Sequence, residues 1–145
     1  MSRRNENECM SKKVKPKKKA HILCPNCVAG CHIGSAGEVY KRRIPGKIRA
    51  VLVCDNYPAC DSYVSVNLKH GHYGIPANRR VRRLRRYAHH LQDKLIASGK
   101  YSRDELYSLI RKDYGLISSR AHIRFFDEKM CNRLIAKYMQ LLGTR

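Results

Sequence analysis

Acidic residues are scarce in this chain of 145 residues: 11 Asp and Glu stand against 31 Lys and Arg, for a net charge of +20. Carboxylates this few, with no cluster among them, do not suggest a two-metal nuclease. P-loop and His-Glu-x-x-His motifs are absent too, and no nucleophile has a base and an orienting group beside it, so the chain is not expected to be an enzyme. No apolar run approaches the roughly 20 residues of a membrane-spanning helix. The first residues, MSRRNENECMSKKVKPKKKA, are charged and lack the apolar stretch of a secretory signal. A reducing, cytoplasmic location is therefore expected, where the seven cysteines read as metal ligands and buried thiols before they read as disulfides. A membrane-surface role is not expected, since the basic start has no amphipathic anchor and Ser2 stands where myristoylation needs glycine.

Positive charge is what the chain has in excess, and an imbalance of this size disfavours compaction unless a polyanion or a metal offsets it. Composition divides the sequence into four parts, giving an α+β protein. Residues 1–19 carry eight Lys or Arg and almost nothing apolar, which predicts a disordered basic tail. Residues 20–68 read as short strands, HILC, GEVYKR, IRAVLVC and SYVSVNL, punctuated by glycine and proline. Residues 69–76, KHGHYGIP, form a linker, and residues 77–145 take a helical period.

The β-rich part holds the strongest signal, Cys24-x2-Cys27-x26-Cys54-x5-Cys60, a pair of thiols on each of two turns. Tetrahedral Zn²⁺ takes four such ligands, and each turn delivers two. A sheet this small is marginal by itself, so metal binding is expected to supply the missing folding energy and make the segment a zinc ribbon. Cys31, His32 and His21 crowd the first turn, and Cys31 or His32 is an alternative ligand. Cys9 falls in the tail, while Cys131 falls in a helical pattern as a buried thiol.

In the helical part, residues 77–98 carry Val81, Leu84, Ala88, Leu91 and Leu95 as one apolar stripe. Arg79, Arg82, Arg83 and Arg86 project to the opposite side, His90 extends their line, and Arg80 and Arg85 flank the core face. Six arginines in eight residues exceed what a solvated face needs, and the planar guanidinium suits phosphate oxygens. Two more helices follow: Ser102 with Glu105 forms a capping box and Gly115 a stop, then Asp127 caps a last helix that Gly143 ends. These are expected to pack as a three-helix unit, with His122, Asp127 and Cys131 as a capping and packing cluster.

The stretch CDNYPACDSYV resembles the second knuckle of the zinc ribbons at the C-termini of type IA topoisomerases, which contact single-stranded DNA, although Val28 stands where those ribbons usually have glycine. More broadly, CPNC, CDNYPACDSYVSV, ASGKYSRDELYSLI and AHIRFFDEKMC resemble an uncharacterised zinc-finger-containing domain family of tailed phages and bacterial mobile elements, over about four fifths of the chain. That likeness implies a zinc ribbon followed by helices, in a bacterial host cytoplasm, and implies no activity. The stretch KKVKPKKK, with Lys17, Lys18 and Lys19, would be a nuclear signal in a eukaryote and is a phosphate-seeking arm in a bacterium.

The expected function is nucleic-acid binding, DNA in preference to RNA, through Arg79, Arg82, Arg83, Arg86, His90 and the lysine arm. The alternative is an adaptor whose ribbon docks on a larger host or phage machine such as an RNA polymerase.

Overall fold

The computed structural model describes residues 18–40, 50–66 and 74–143. Four antiparallel strands form one sheet in chain order: β1 (Lys18–Leu23), β2 (Gly30–Ser35), β3 (Ala50–Cys54) and β4 (Tyr63–Val66). Three helices follow, α1 (Arg79–Ala97), α2 (Arg103–Tyr114) and α3 (Glu128–Leu142). The architecture is thus the expected α+β arrangement of a small β unit with a cysteine cluster ahead of three helices. No helix among the described residues is long and apolar enough to cross a membrane.

Two of the strands differ from expectation. GEVYKR contributes no strand among its described residues, because Ala36–Glu38 closes into a single 3-10 turn. The strand lies earlier, in GCHIGS, where two glycines mask the β signal; its pairing with β3 from Cys31↔Cys54 to Ser35↔Ala50 supplies what side-chain propensity does not. Strand pairing also begins at Lys18 and Lys19, inside the expected tail, because β2 is long enough to offer them backbone partners at Ile33 and His32. Lys17 and the rest of the tail, with residues 69–73 of the linker, lie outside the described residues. β3 is buried along its whole length, from Ala50 to Cys54, so AVLVC shows no alternation, as a strand covered on both faces should not.

Helix ends follow the capping residues. Asn78 caps α1 by accepting from the Val81 N–H at 3.0 Å. Ser102 and Glu105 form the reciprocal capping box of α2, and Asp127 caps α3 by accepting from the Met130 N–H at 2.8 Å. Gly115 and Gly143 close α2 and α3 with φ of 62° and 75°, a left-handed conformation that glycine adopts without a Cβ penalty. Of the expected α1 stripe, Ala88, Leu91 and Leu95 are buried, against Leu106 and Ile110 of α2 and Cys131, Leu134 and Tyr138 of α3. The segment before α3 adds Ala121, Ile123 and Phe126 to this core, although its sequence has no periodicity to announce them.

Arg85, expected beside the core face, is inside the protein, with only 7% of its surface exposed. Its Nε donates to the Phe126 carbonyl and its Nη1 to the Ile75 carbonyl, both at 2.8 Å. One guanidinium therefore holds the approach to α3 and the approach to α1 together. Burial draws its pKa down to about 10, which still leaves it charged at neutral pH.

Replacing Arg85 by methionine keeps an unbranched apolar stem and orphans both carbonyls, so a loss of about 2 kcal/mol or more is expected. Arg83→Gln on the exposed side should change stability by less than about 0.5 kcal/mol. Chemical denaturation of both variants checks this, and equal losses would mean that Arg85 is not a structural tie.

Candidate metal centre

Both cysteine turns sit at the same end of the sheet, because β2 starts where β3 stops and Cys31 pairs with Cys54. In the first turn the Cys24 N–H donates to the Ala29 carbonyl at 2.8 Å, and the Val28 N–H to the Cys24 carbonyl at 2.9 Å. In the second, the Tyr57 N–H donates to the Cys54 carbonyl and the Cys60 N–H to the Asn56 carbonyl, both at 3.0 Å. The Asp55 N–H donates across to the Gly30 carbonyl at 3.0 Å and locks one turn to the other.

This frame brings together the Sγ atoms of Cys24, Cys27, Cys54 and Cys60, all within 4.8 Å of one another. Cys27 and Cys54 are 3.3 Å apart and Cys24 and Cys60 3.6 Å. A tetrahedral Zn–S4 unit with bonds of about 2.3 Å has S···S edges of about 3.8 Å, so the four thiols fit that ion with small adjustments. The Asn56 N–H lies 3.4 Å from Cys54 Sγ and its side-chain amide 3.6 Å from Cys27 Sγ, donors suited to thiolate charge. Burial pushes the Cys24 thiol up, but the Asn26 and Cys27 N–H groups, the Ser62 hydroxyl and the Cys60 thiol outweigh it and bring the pKa to about 7. The Cys54 thiol goes the other way, raised chiefly by burial.

Neither alternative ligand joins the group. Cys31 points into the sheet core, 2% exposed, and burial raises its pKa to about 11. His32 has both ring nitrogens engaged, Nδ1 with Asp55 Oδ1 at 2.6 Å and Nε2 with Glu38 Oε2 at 2.8 Å. Gly30 and Gly34 flank it on the same strand face, and a Cβ on either would meet one of those carboxylates within 3 Å. His21 lies in β1.

Polar residues beside the cysteines connect the cage to α1, and their role is not apparent from sequence. Ser62 is fully buried, with its Oγ 3.4 Å from Cys60 Sγ. The Asn26 side-chain amide donates to that hydroxyl, and Asn78, the cap of α1, donates to Asn26 Oδ1 at 3.3 Å. Asp61 Oδ2 accepts from the Arg79 N–H at 3.2 Å. Tyr63 and Ala77 exchange backbone hydrogen bonds at 3.1 Å. The first turn of α1 is therefore seated on the second cysteine turn. Proximity to the cysteines in CPNC and CDS was the available signal; a pairing across 36 residues was not readable.

Arg82 requires a correction. Expected on the open basic face, it is drawn into this seat: Nη1 donates to the Asp61 and Ala77 carbonyls, and the guanidinium lies 4.0 Å above the Tyr63 ring. With 21% of its side chain exposed, its guanidinium is held by the fold. Arg79, Arg83, Arg86 and His90 remain exposed along α1, while Arg80 pairs with Glu128 at 2.8 Å. Lys18 and Lys19 lie on the edge strand β1. Near α3, Asp127 is spent on its cap, the His122 ring meets Tyr107 edge-on at 5.3 Å, and Cys131 is fully buried.

The sequence model of a family described as a zinc-finger-containing domain matches residues 16–141, and the chain belongs to that family. No curated protein and no solved structure matches it. Family and four-cysteine cluster together support a zinc-binding domain.

Val28 adopts φ of +62° with 69% of its surface exposed. A left-handed β-branched residue is strained by about 1–2 kcal/mol, and glycine returns about 0.4–1 kcal/mol of that through the freer unfolded chain. Val28→Gly should therefore stabilise the metal-loaded protein by up to about 1.5 kcal/mol, read as a higher denaturation midpoint. A lower midpoint would mean that the valine side chain is itself used in the fold.

Proposed function

We propose that this zinc-finger-containing domain holds one Zn²⁺ through Cys24, Cys27, Cys54 and Cys60 and uses the cage to seat a basic helix that binds nucleic acid, DNA in preference to RNA. The observation that carries the reading is the exposed row of Arg79, Arg83 and Arg86 on α1, anchored at its start to the metal cage. Four thiolates complete the tetrahedron around zinc and leave no position for water, so the proposed role is binding without turnover. Zinc would fix the two cysteine turns; the helix meets the ligand. The preference for DNA rests on the likeness of CDNYPACDSYV to ribbons that contact it.

Electrostatics sets how the helix would act. Guanidinium groups on one face of a helix meet phosphates with no backbone left to order, and each contact releases condensed counterions. Lys18 and Lys19, on an edge strand with Lys17 before them, would add contacts from the sheet side.

Affinity for random-sequence DNA measured against salt tests the reading. Changing Arg79, Arg83 and Arg86 together to glutamine should flatten the log–log slope by roughly 2 units on single strands and 3 on duplex. Arg82→Gln should instead loosen α1 from the ribbon and lower stability. A folded triple variant with unchanged affinity and slope would assign the basic face to an acidic protein partner, as in an adaptor.

A further inference from the structure

The chain has nine tyrosines and no tryptophan, and the tyrosines of the helical unit are mostly engaged inside it. Tyr138 is buried, Tyr114 packs on Phe126 with ring centroids 5.2 Å apart, and Tyr107 meets His122. Tyr87 differs: it is 43% exposed on α1. Arg83 lies four residues before it and His90 three after, the spacings that put side chains side by side on a helix. Leu84 and Leu91 lie on its other flank, at the margin of the apolar stripe. The ring therefore stands on α1 between the basic face and the apolar stripe, with much of its surface open to solvent.

We propose that Tyr87 is a base-stacking platform, so that the ligand of the α1 face is a nucleic-acid strand with unpaired bases. The proposal rests on the nucleic-acid reading above and specifies its ligand. Arginines alone recognise phosphate and are indifferent to whether a strand is paired. An aromatic ring set among them adds a second chemistry, because each unpaired base offers a π face that an aromatic side chain can cover. In a duplex both faces of every base are already stacked, and reaching one costs unstacking. A strand whose phosphates follow Arg79, Arg83 and Arg86 would bring a base over Tyr87, beside the exposed imidazole of His90.

The experiment uses the full-length, zinc-loaded protein and four probes of equal length: oligo-dT, oligo-U, a DNA chain of abasic sites, and a duplex. Tyr87→Ala should weaken oligo-dT and oligo-U by about 5- to 150-fold, the range for one stacked base. Binding to the abasic chain and the duplex, and the salt slope on every probe, should stay within about twofold of the parent. Tyr87→Phe should bind oligo-dT like the parent, since the ring is kept. Loss by Tyr87→Ala on the abasic chain as large as on oligo-dT, or no loss on oligo-dT, would overturn the platform while leaving phosphate binding intact. Absence of salt-dependent binding to all four probes by the parent would overturn the nucleic-acid reading itself. Capture of an acidic protein that Tyr87→Ala abolishes, with nucleic-acid binding unchanged, would also overturn the platform.

Discussion

The register between β2 and β3 places Cys31 opposite Cys54 and thereby brings two cysteine turns to one end of the sheet, where four sulfurs converge. The rest of the β unit depends on that convergence. Four strands of four to six residues make a sheet too small to secure itself by burial alone. A metal bound by four thiolates contributes binding energy that the unfolded chain does not share. It would also hold the two cysteine turns together. The N–H donors around the sulfurs suit the site to negative charge.

Order passes from this cage to the helices by a short polar route. Ser62 touches a cage sulfur, Asn26 reaches Ser62, and Asn78 reaches Asn26 while capping α1. Asp61 and Arg82 fasten the same turn from the other side. The helical unit has a core of its own, and Arg85 ties its loose approaches through two carbonyls. Six neighbouring arginines thus divide their labour. Two are consumed by the fold, one pairs with Glu128, and three are left facing solvent around Tyr87.

Much of this was legible from local sequence. Cysteine spacing marks the thiols that converge, since turns place their ligands by short-range geometry, and Ser102, Asp127, Gly115 and Gly143 act where helix-end chemistry puts them. What was not legible depends on partners distant in the chain. Strand β2 exists because β3 needs a neighbour, despite Gly30 and Gly34, and those glycines make room for carboxylates of Asp55 and Glu38. A helical projection treats all arginines alike; only the carbonyls of Phe126 and Asp61 decide that Arg85 and Arg82 turn inward. Periodicity likewise says nothing of Ala121, Ile123 and Phe126, which reach the core from irregular backbone.

Metal content and amide exchange, measured together on the purified protein before and after chelation, test the dependence of the fold on the cage most directly. One zinc per chain is predicted, with slow exchange in β2 and β3 that is lost when the metal is removed, together with protection at the first turn of α1. Amides around Leu91, Leu95 and Leu134, in the separate helical core, should keep theirs. A sheet that stays protected after complete loss of metal would contradict the central role given to the four cysteines.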